Sequence, residues 1–90
     1  MGSDVREITD EKVLGVVVSG LPGFRNTEQL TPQSDLWAAG MDSLSNISVM
    51  VAIEGEFDIE FPDEFLTPEV FTSAANIAEA VRAILGGRTG

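Results

Sequence analysis

Residues 42–57 read DSLSNISVMVAIEGEF, and their spacing is that of a helix. Leu44, Ile47, Met50 or Val51, and Ile53 or Glu54 recur at intervals of three to four, the period that lines up one helical face. Asp42 stands where an N-cap should, with a short carboxylate able to accept the backbone N–H groups that a first turn leaves unpaired. The pattern predicts a helix from Asp42 or Ser43 to about Phe57, with Ser43 in its opening turn between an acid and a leucine. A serine in that place has three uses: part of a cap, a catalytic nucleophile, or an attachment point for a group the chain does not encode.

Working outward, an earlier helix is expected from Thr9 or Asp10 to Gly20, with Pro22 just beyond it. Apolar residues at 8, 13, 14, 17, 18 and 21 fit one broad face better than strict alternation does. Residues 22–42 contain Pro22, Gly23, Pro32 and Gly40 and show no period, so they read as a long connection anchored by Phe24, Leu30, Leu36 and Trp37. After the central helix, FDIEFPDEF alternates like a strand until Pro62 cuts it short, and it reads as an ordered loop. Thr67-Pro68-Glu69 places a cap before a proline, which suggests a short helix to about Phe71. A last helix runs from Thr72 or Ser73 to Leu85, with Ile77, Val81, Ile84 and Leu85 inward and Gly86-Gly87 as its stop. The expected fold is all-α: a small four-helix bundle, three main helices and one short third helix, with a long loop between helices 1 and 2. Residues 1–90 form one domain with an ordered core of about 5–86, residues 1–3 read as a cloning scar, and 87–90 as a frayed tail.

Composition removes several function classes. There is no cysteine, hence no disulfide framework and no thiolate metal site, and no metal site is assigned. There is no histidine, which excludes a Ser-His-Asp hydrolase and leaves Ser43 without the usual general base. Fifteen acids against five bases give a formal charge of −10, and no Lys or Arg stands between Arg25 and Arg82. Repulsion from phosphates argues against nucleic acid, while the same field attracts basic protein surfaces. The apolar run Val13 to Leu21 falls far short of the roughly 20 residues a membrane span needs. With no signal-peptide pattern at the start, the reading is a cytoplasmic monomer that meets no membrane.

The stretch DLWAAGMDSLSNISVMVAIEGEFDIEFPDEFLTPEVF, residues 35–71, resembles the acyl carrier protein family. That family's hallmark is a D-S-L triplet opening its second helix after a leucine and a glycine, here Asp42-Ser43-Leu44 preceded by Leu36 and Gly40. EGEFDIEFPDE, residues 54–64, is similar to the acidic stretch that follows the helix in the family. The resemblance implies a 4'-phosphopantetheine arm on Ser43, transferred from coenzyme A by a separate phosphopantetheinyl transferase. It implies a carrier with no catalysis of its own, holding an acyl or aminoacyl group as a thioester for a loading enzyme and for acyltransferase or synthase partners. Asp42 would cap the helix and help the transferase hold its metal. Met41 and Leu44 would meet partners beside the arm, and Phe61 would line a cleft for cargo between the second and third helices.

The match departs from carriers of fatty acid synthesis in one respect. SLSNISVM, the first two turns of the helix, bears no carboxylate, and the acids begin only at Glu54. The resemblance therefore leans to discrete aminoacyl or acyl carriers of natural-product pathways of polyketide or nonribosomal-peptide type, with a fatty acid carrier as the alternative. Partner contacts through Met41, Val49, Met50 and Ile59, flanked by Glu54, would outweigh charge there. Two readings from other classes stay open: an unmodified acidic helical adaptor, and a divalent-cation binder built on Glu54, Glu56, Asp58 and Glu60.

Overall fold

The computed structural model describes residues 8–21 and 27–87. Three α-helices make the frame: α1 at Asp10–Ser19, α2 at Ser43–Phe57 and α3 at Ala74–Gly87, with 3-10 turns at Thr27–Gln29 and Asp63–Phe65. Among the described residues there is no strand, and no helix is long and apolar enough to cross a membrane. The architecture is the small helical bundle that the pattern predicts. Expectations placed on residues 1–7, on Phe24 and on residues 88–90 lie outside the described residues.

Each helix begins on a side-chain cap. Thr9 Oγ1 accepts the Lys12 N–H at 3.0 Å, and Asp10 and Glu11 put negative charge at the positive end of α1. Asp42 Oδ1 accepts the Ser45 N–H at 2.8 Å to open α2. Ser73 Oγ accepts the Asn76 N–H at 3.1 Å to open α3. The last helix does not stop at Leu85 as expected but continues into Gly87. Glycine disfavours a helix by about 1 kcal/mol per residue without forbidding its geometry, so two glycines need not end one.

Helix α1 lies between α2 and α3 and packs against both. Its direction opposes α2: Lys12 Nζ sits 5.8 Å above the Phe57 ring at one end, while Gly20 abuts Ser48 and Val49 at the other. It opposes α3 as well, because Arg82 Nε and Nη2 donate to the Ile8 carbonyl at 3.1 and 2.9 Å, and Nη2 also reaches Asp10 at 3.1 Å. At Gly20 the two backbones come so close that a Cβ would stand 3.2 Å from Val49 Cα and 3.3 Å from the Ser48 carbonyl. Glycine is what allows that approach.

The interior is one cluster that includes Val13, Val17, Ile53, Ile77 and Val81, closed by Phe61 and Phe71 edge to face at 5.3 Å. The FDIEFP segment is an ordered loop, as expected. Asp58 ends α2 in the left-handed region at φ 57°, after which Ile59 and Phe61 turn inward. Glu54 Oε2 accepts the Phe61 N–H at 3.0 Å and ties this loop back to α2.

The long connection is sewn to the segment before α3. Leu36 is fully buried, and its N–H donates to the Thr72 carbonyl at 2.7 Å. The Ala75 N–H donates to the Pro32 carbonyl at 2.9 Å, and Trp37 Nε1–H to the Pro68 carbonyl at 3.0 Å. The short third helix takes a different form. Residues 67–72 close by N–H bonds at 3.2 Å from Val70, Phe71 and Thr72 to carbonyls three residues back, a tight turn rather than an α-helix.

The largest departure concerns the inward face of α2. Of the expected face of Leu44, Ile47, Met50 or Val51, and Ile53 or Glu54, the residues Leu44, Ile47 and Val51 face solvent and Met50 and Glu54 are half-buried, while Ile53 joins Val49 and Phe57 in the core. Both sets have helical spacing, and the helix is apolar nearly all round. Its orientation is set by what it packs on, the close approach at Gly20 and the cluster around Leu36, and not by its own periodicity.

Candidate functional site

The approach to α2 is a tight turn. Ala39 N–H bonds the Asp35 carbonyl at 3.0 Å, Gly40 N–H the Trp37 carbonyl at 3.1 Å, and Met41 N–H the Leu36 carbonyl at 3.0 Å. Gly40 holds φ at 121°, a value that a side chain at this position would strain. Met41 then plugs the interior, and Asp42 follows in extended conformation with its side chain turned back as the cap. The Ser45 backbone N–H, and secondarily the Ser45 hydroxyl, hold the Asp42 carboxyl below its ordinary value. The carboxylate is fully exposed, so this is a local effect of the cap and not of burial.

Ser43 emerges from this frame as the first residue of α2, exposed, with no side-chain hydrogen bond claiming its hydroxyl. The first N–H groups of a helix have no internal partner and carry partial positive charge, so a phosphodiester on Ser43 would sit against donors. Beside it runs an uncharged apolar strip: Leu44 at 76% exposure, Ile47 at 51% and Val51 at 56%. Ile47 and Val51 also border a shallow groove whose other wall is Ser19 and Gly20 at the end of α1. An exposed hydroxyl with nothing bonded to it, helix-start donors beneath it and a flat apolar strip alongside fit the group that the motif implies.

Asp42, Ser43 and Leu44 share this surface, and Met50 and Glu54 lie half-buried farther along α2. Three of the expected contact residues are placed differently. Met41 at 4% exposure, Val49 at 0% and Ile59 at 5% belong to the core, because each sits where the bundle closes on itself. Phe61 is likewise packed into the interior against Phe71 and not set along an open cleft. A cavity of about 630 Å³, lined by residues including Ile59, Glu64, Phe65 and Ile84, lies near the other end of α2. At 1.5 Å of rise per residue that end is roughly 22 Å from Ser43. Among the described residues no group of three or more acids is placed to hold a metal ion, so the alternating acids after Glu54 do not form the cation site that their spacing allowed. Residues missed from the sequence are Ile47 and Val51, which the spacing places on one helical face without assigning them to a contact surface; the signal for them is a helix with more apolar residues than one buried face can use.

A family model described as the phosphopantetheine attachment site matches residues 11–84. An aminoacyl carrier protein of Agrobacterium fabrum is 39% identical over 61 residues, covering 68% of this chain and 74% of that protein. Aminoacyl carrier protein 2 of Bradyrhizobium diazoefficiens is 32% identical over 79 residues, covering 88% and 89%. In the crystal structure of an engineered Bradyrhizobium japonicum glycine:[carrier protein] ligase complexed with the carrier protein from Agrobacterium tumefaciens and AMP, one chain superposes with a TM-score of 0.72. That chain is 28% identical, and the match covers 82% of this protein and 99% of it. With its helical bundle, its capped and exposed serine and these relatives, the chain belongs to the phosphopantetheine-attachment family of acyl and aminoacyl carrier proteins, whose covalent prosthetic group is 4'-phosphopantetheine.

Proposed function

We propose that Ser43 bears the arm and that the protein is a discrete aminoacyl or short-acyl carrier, loaded by a separate ligase and working in biosynthesis of the polyketide or nonribosomal-peptide kind. The observation that carries this reading is the free, exposed Ser43 hydroxyl at the start of a helix whose first two turns bear no charge and expose Leu44 and Ile47. In the attachment step the Ser43 oxygen forms a bond to the phosphorus of coenzyme A's pantetheine phosphate, the bond to the adenosine bisphosphate breaks, and the serine proton passes to the transferase. Once bound, the group supplies a terminal thiol that holds cargo as a thioester, the one sulfhydryl in a protein with no cysteine.

The chain's own part is mechanical. Asp42 fixes the first turn, Met41 and Leu36 fix the approach, and Leu44, Ile47 and Val51 offer an apolar landing for the loading enzyme. The aminoacyl assignment draws on the relatives and on the glycine:[carrier protein] ligase seen with a neighbouring carrier. The fatty acid alternative would want carboxylates on the first two turns of α2, and none is there.

Intact-protein mass spectrometry tests the proposal. Incubation with coenzyme A and a broad-specificity phosphopantetheinyl transferase should add one phosphopantetheine, and Ser43→Ala should abolish the gain while keeping its helical circular dichroism. An unchanged wild-type mass beside a modified control carrier sinks the proposal. Loading of the holo form by an amino acid:carrier ligase, and not by fatty acyl transfer enzymes, tests the cargo class.

A further inference from the structure

The groove between the end of α1 and α2 encloses about 470 Å³ and is lined by Ser19, Gly20, Ile47, Ser48, Val51 and Ala52, with no charged side chain. Its α2 wall is made of two neighbouring rows. On a helix, residues four apart stack into a ridge, and adjacent ridges leave a furrow between them. Ile47 and Val51 belong to the row that begins at Ser43, and Ser48 and Ala52 to the row that begins at Leu44. The furrow between the rows therefore runs back to the attachment serine, and Gly55 and Glu56 are the next members at its far end. Ser43, Ile47, Ser48 and Val51 are all exposed, so the furrow is open along its length. The other flank of Ser43 differs: Asn46, Met50 and Glu54 are half-buried there, and Glu54 is tied to the Phe61 N–H.

The group that Ser43 would bear matches this furrow in length and in the order of its parts. At 1.5 Å of rise per residue, Val51 stands about 12 Å beyond Ser43 and Gly55 about 18 Å. A 4'-phosphopantetheine is about thirteen bonds long from phosphorus to sulfur, and at the roughly 1.2 Å per bond of an extended peptide chain it spans about 16 Å. Laid along the furrow, it brings its thiol out between Val51 and Gly55, where a glycine with open space around it leaves the end uncovered. The carbon bearing two methyl groups comes first after the phosphate ester and falls within the first turn, beside Ile47. The hydroxyl and the two amides follow. There Ser48 offers a hydroxyl with no partner among the described residues, and Ser19 Oγ, which donates to the Val16 carbonyl at 2.7 Å, keeps lone pairs to accept an N–H. Beyond its phosphate the arm carries no charge, and neither does the furrow.

We propose that the furrow is the resting place of the arm: in the free, modified protein the phosphopantetheine lies along α2 from Ser43 toward Gly55, its dimethyl carbon against Ile47 and Val51 and its polar groups beside Ser48 and Ser19. The inference rests on the reading of Ser43 as the attachment residue. Ile47 and Val51 then serve both the arm and the loading enzyme, so docking on this strip displaces the arm and frees the thiol at the moment an enzyme is present. Leu44 does not line the groove and stays open to that enzyme throughout.

The test uses the full chain, converted with coenzyme A that carries a nitroxide on its thiol, and conversion is checked by intact mass. Paramagnetic broadening of the backbone amide resonances then locates the end of the arm. Broadening should be several-fold stronger at Gly55 and Glu56 than at Ala38 and Ala39, on the turn that precedes Ser43. With unlabelled coenzyme A, proton–proton contacts should appear between the arm's two methyl groups and the side chains of Ile47 and Val51. Val51→Glu, which sets a carboxylate in the furrow, should abolish both signals while keeping its helical circular dichroism. If the mass does not change, the Ser43 reading and this inference fall together. If the mass changes but broadening is as strong at Ala38 and Ala39 as at Gly55, the arm swings free and this inference alone falls. It falls equally if the methyl contacts are with Met50, which would put the arm on the other flank. Should Val51→Glu not fold, the broadening pattern and methyl contacts of the wild type decide the matter unaided.

Discussion

Two apolar ladders run along α2, and they have opposite jobs. Val49, Ile53 and Phe57 climb the inner face at steps of four, buried against α1 and the loops; Leu44, Ile47 and Val51 climb the outer face, open to solvent. By composition the two are nearly interchangeable. What separates them is that the inner ladder is covered by the rest of the chain while the outer one stays half or more exposed, which makes the first a matter of stability and the second a matter of docking.

That contrast can be broken by substitution. The largest effect should come from Ile53→Ala, which leaves a cavity in a fully buried place and should cost about 2–5 kcal/mol in urea unfolding. Next is Gly20→Val, which drives a branched side chain into the α2 backbone at the point where the inner ladder begins; a loss of about 1–3 kcal/mol is expected. On the outer ladder, Leu44→Ser should change unfolding free energy by no more than about 0.5 kcal/mol, yet raise the KM for a loading ligase about 5- to 30-fold, as loss of an interface anchor worth 1–2 kcal/mol does. That KM effect should persist across a tenfold rise in ionic strength, because the strip holds no charge. A strongly destabilised Leu44→Ser, or an unchanged KM, would collapse the distinction between the ladders.

The smallest effect concerns the cap from which both ladders start. Asp42 has its carboxyl pKa lowered in the folded protein, chiefly by the Ser45 N–H, so the charged cap favours folding above the ordinary value of 3.8 and the benefit fades as pH falls through the lower, folded value. Wild type should therefore melt above Asp42→Asn at pH 7, with the gap closing in acid below that range. A gap that is constant with pH would mean the charge contributes nothing.

How much of this was legible beforehand follows from how local each cause is. Thr9, Asp42 and Ser73 cap from within their own first turn, so the helix starts could be read directly, and so could Ser43 as the first residue after a cap. The orientation of α2 could not, because it depends on Gly20 and Leu36, distant in sequence, and the helix offers more apolar positions than one face needs. Met41, Val49 and Ile59 were associated with partners for their nearness to the motif, yet nearness along the chain says nothing about which side chains close the core. Thr67-Pro68-Glu69 suggests a short helix, and the chain forms a tight turn there instead, where Leu36 and Trp37 bond the Thr72 and Pro68 carbonyls and the segment's own bonds reach only three residues back.

The turn from Leu36 to Gly40, bonded to itself and pinned through Leu36 to Thr72, ends two residues before the cap of α2. Its consequence is one of tethering. A post that does not sway leaves the reach of a flexible leash to be set by the leash alone, so the concentration at which cargo meets a docked enzyme is decided by arm length and by where on α2 that enzyme lands. Loosening the post, for example by Gly40→Ala, would spread the cargo over a larger volume and dilute it without touching a single atom of the attachment serine.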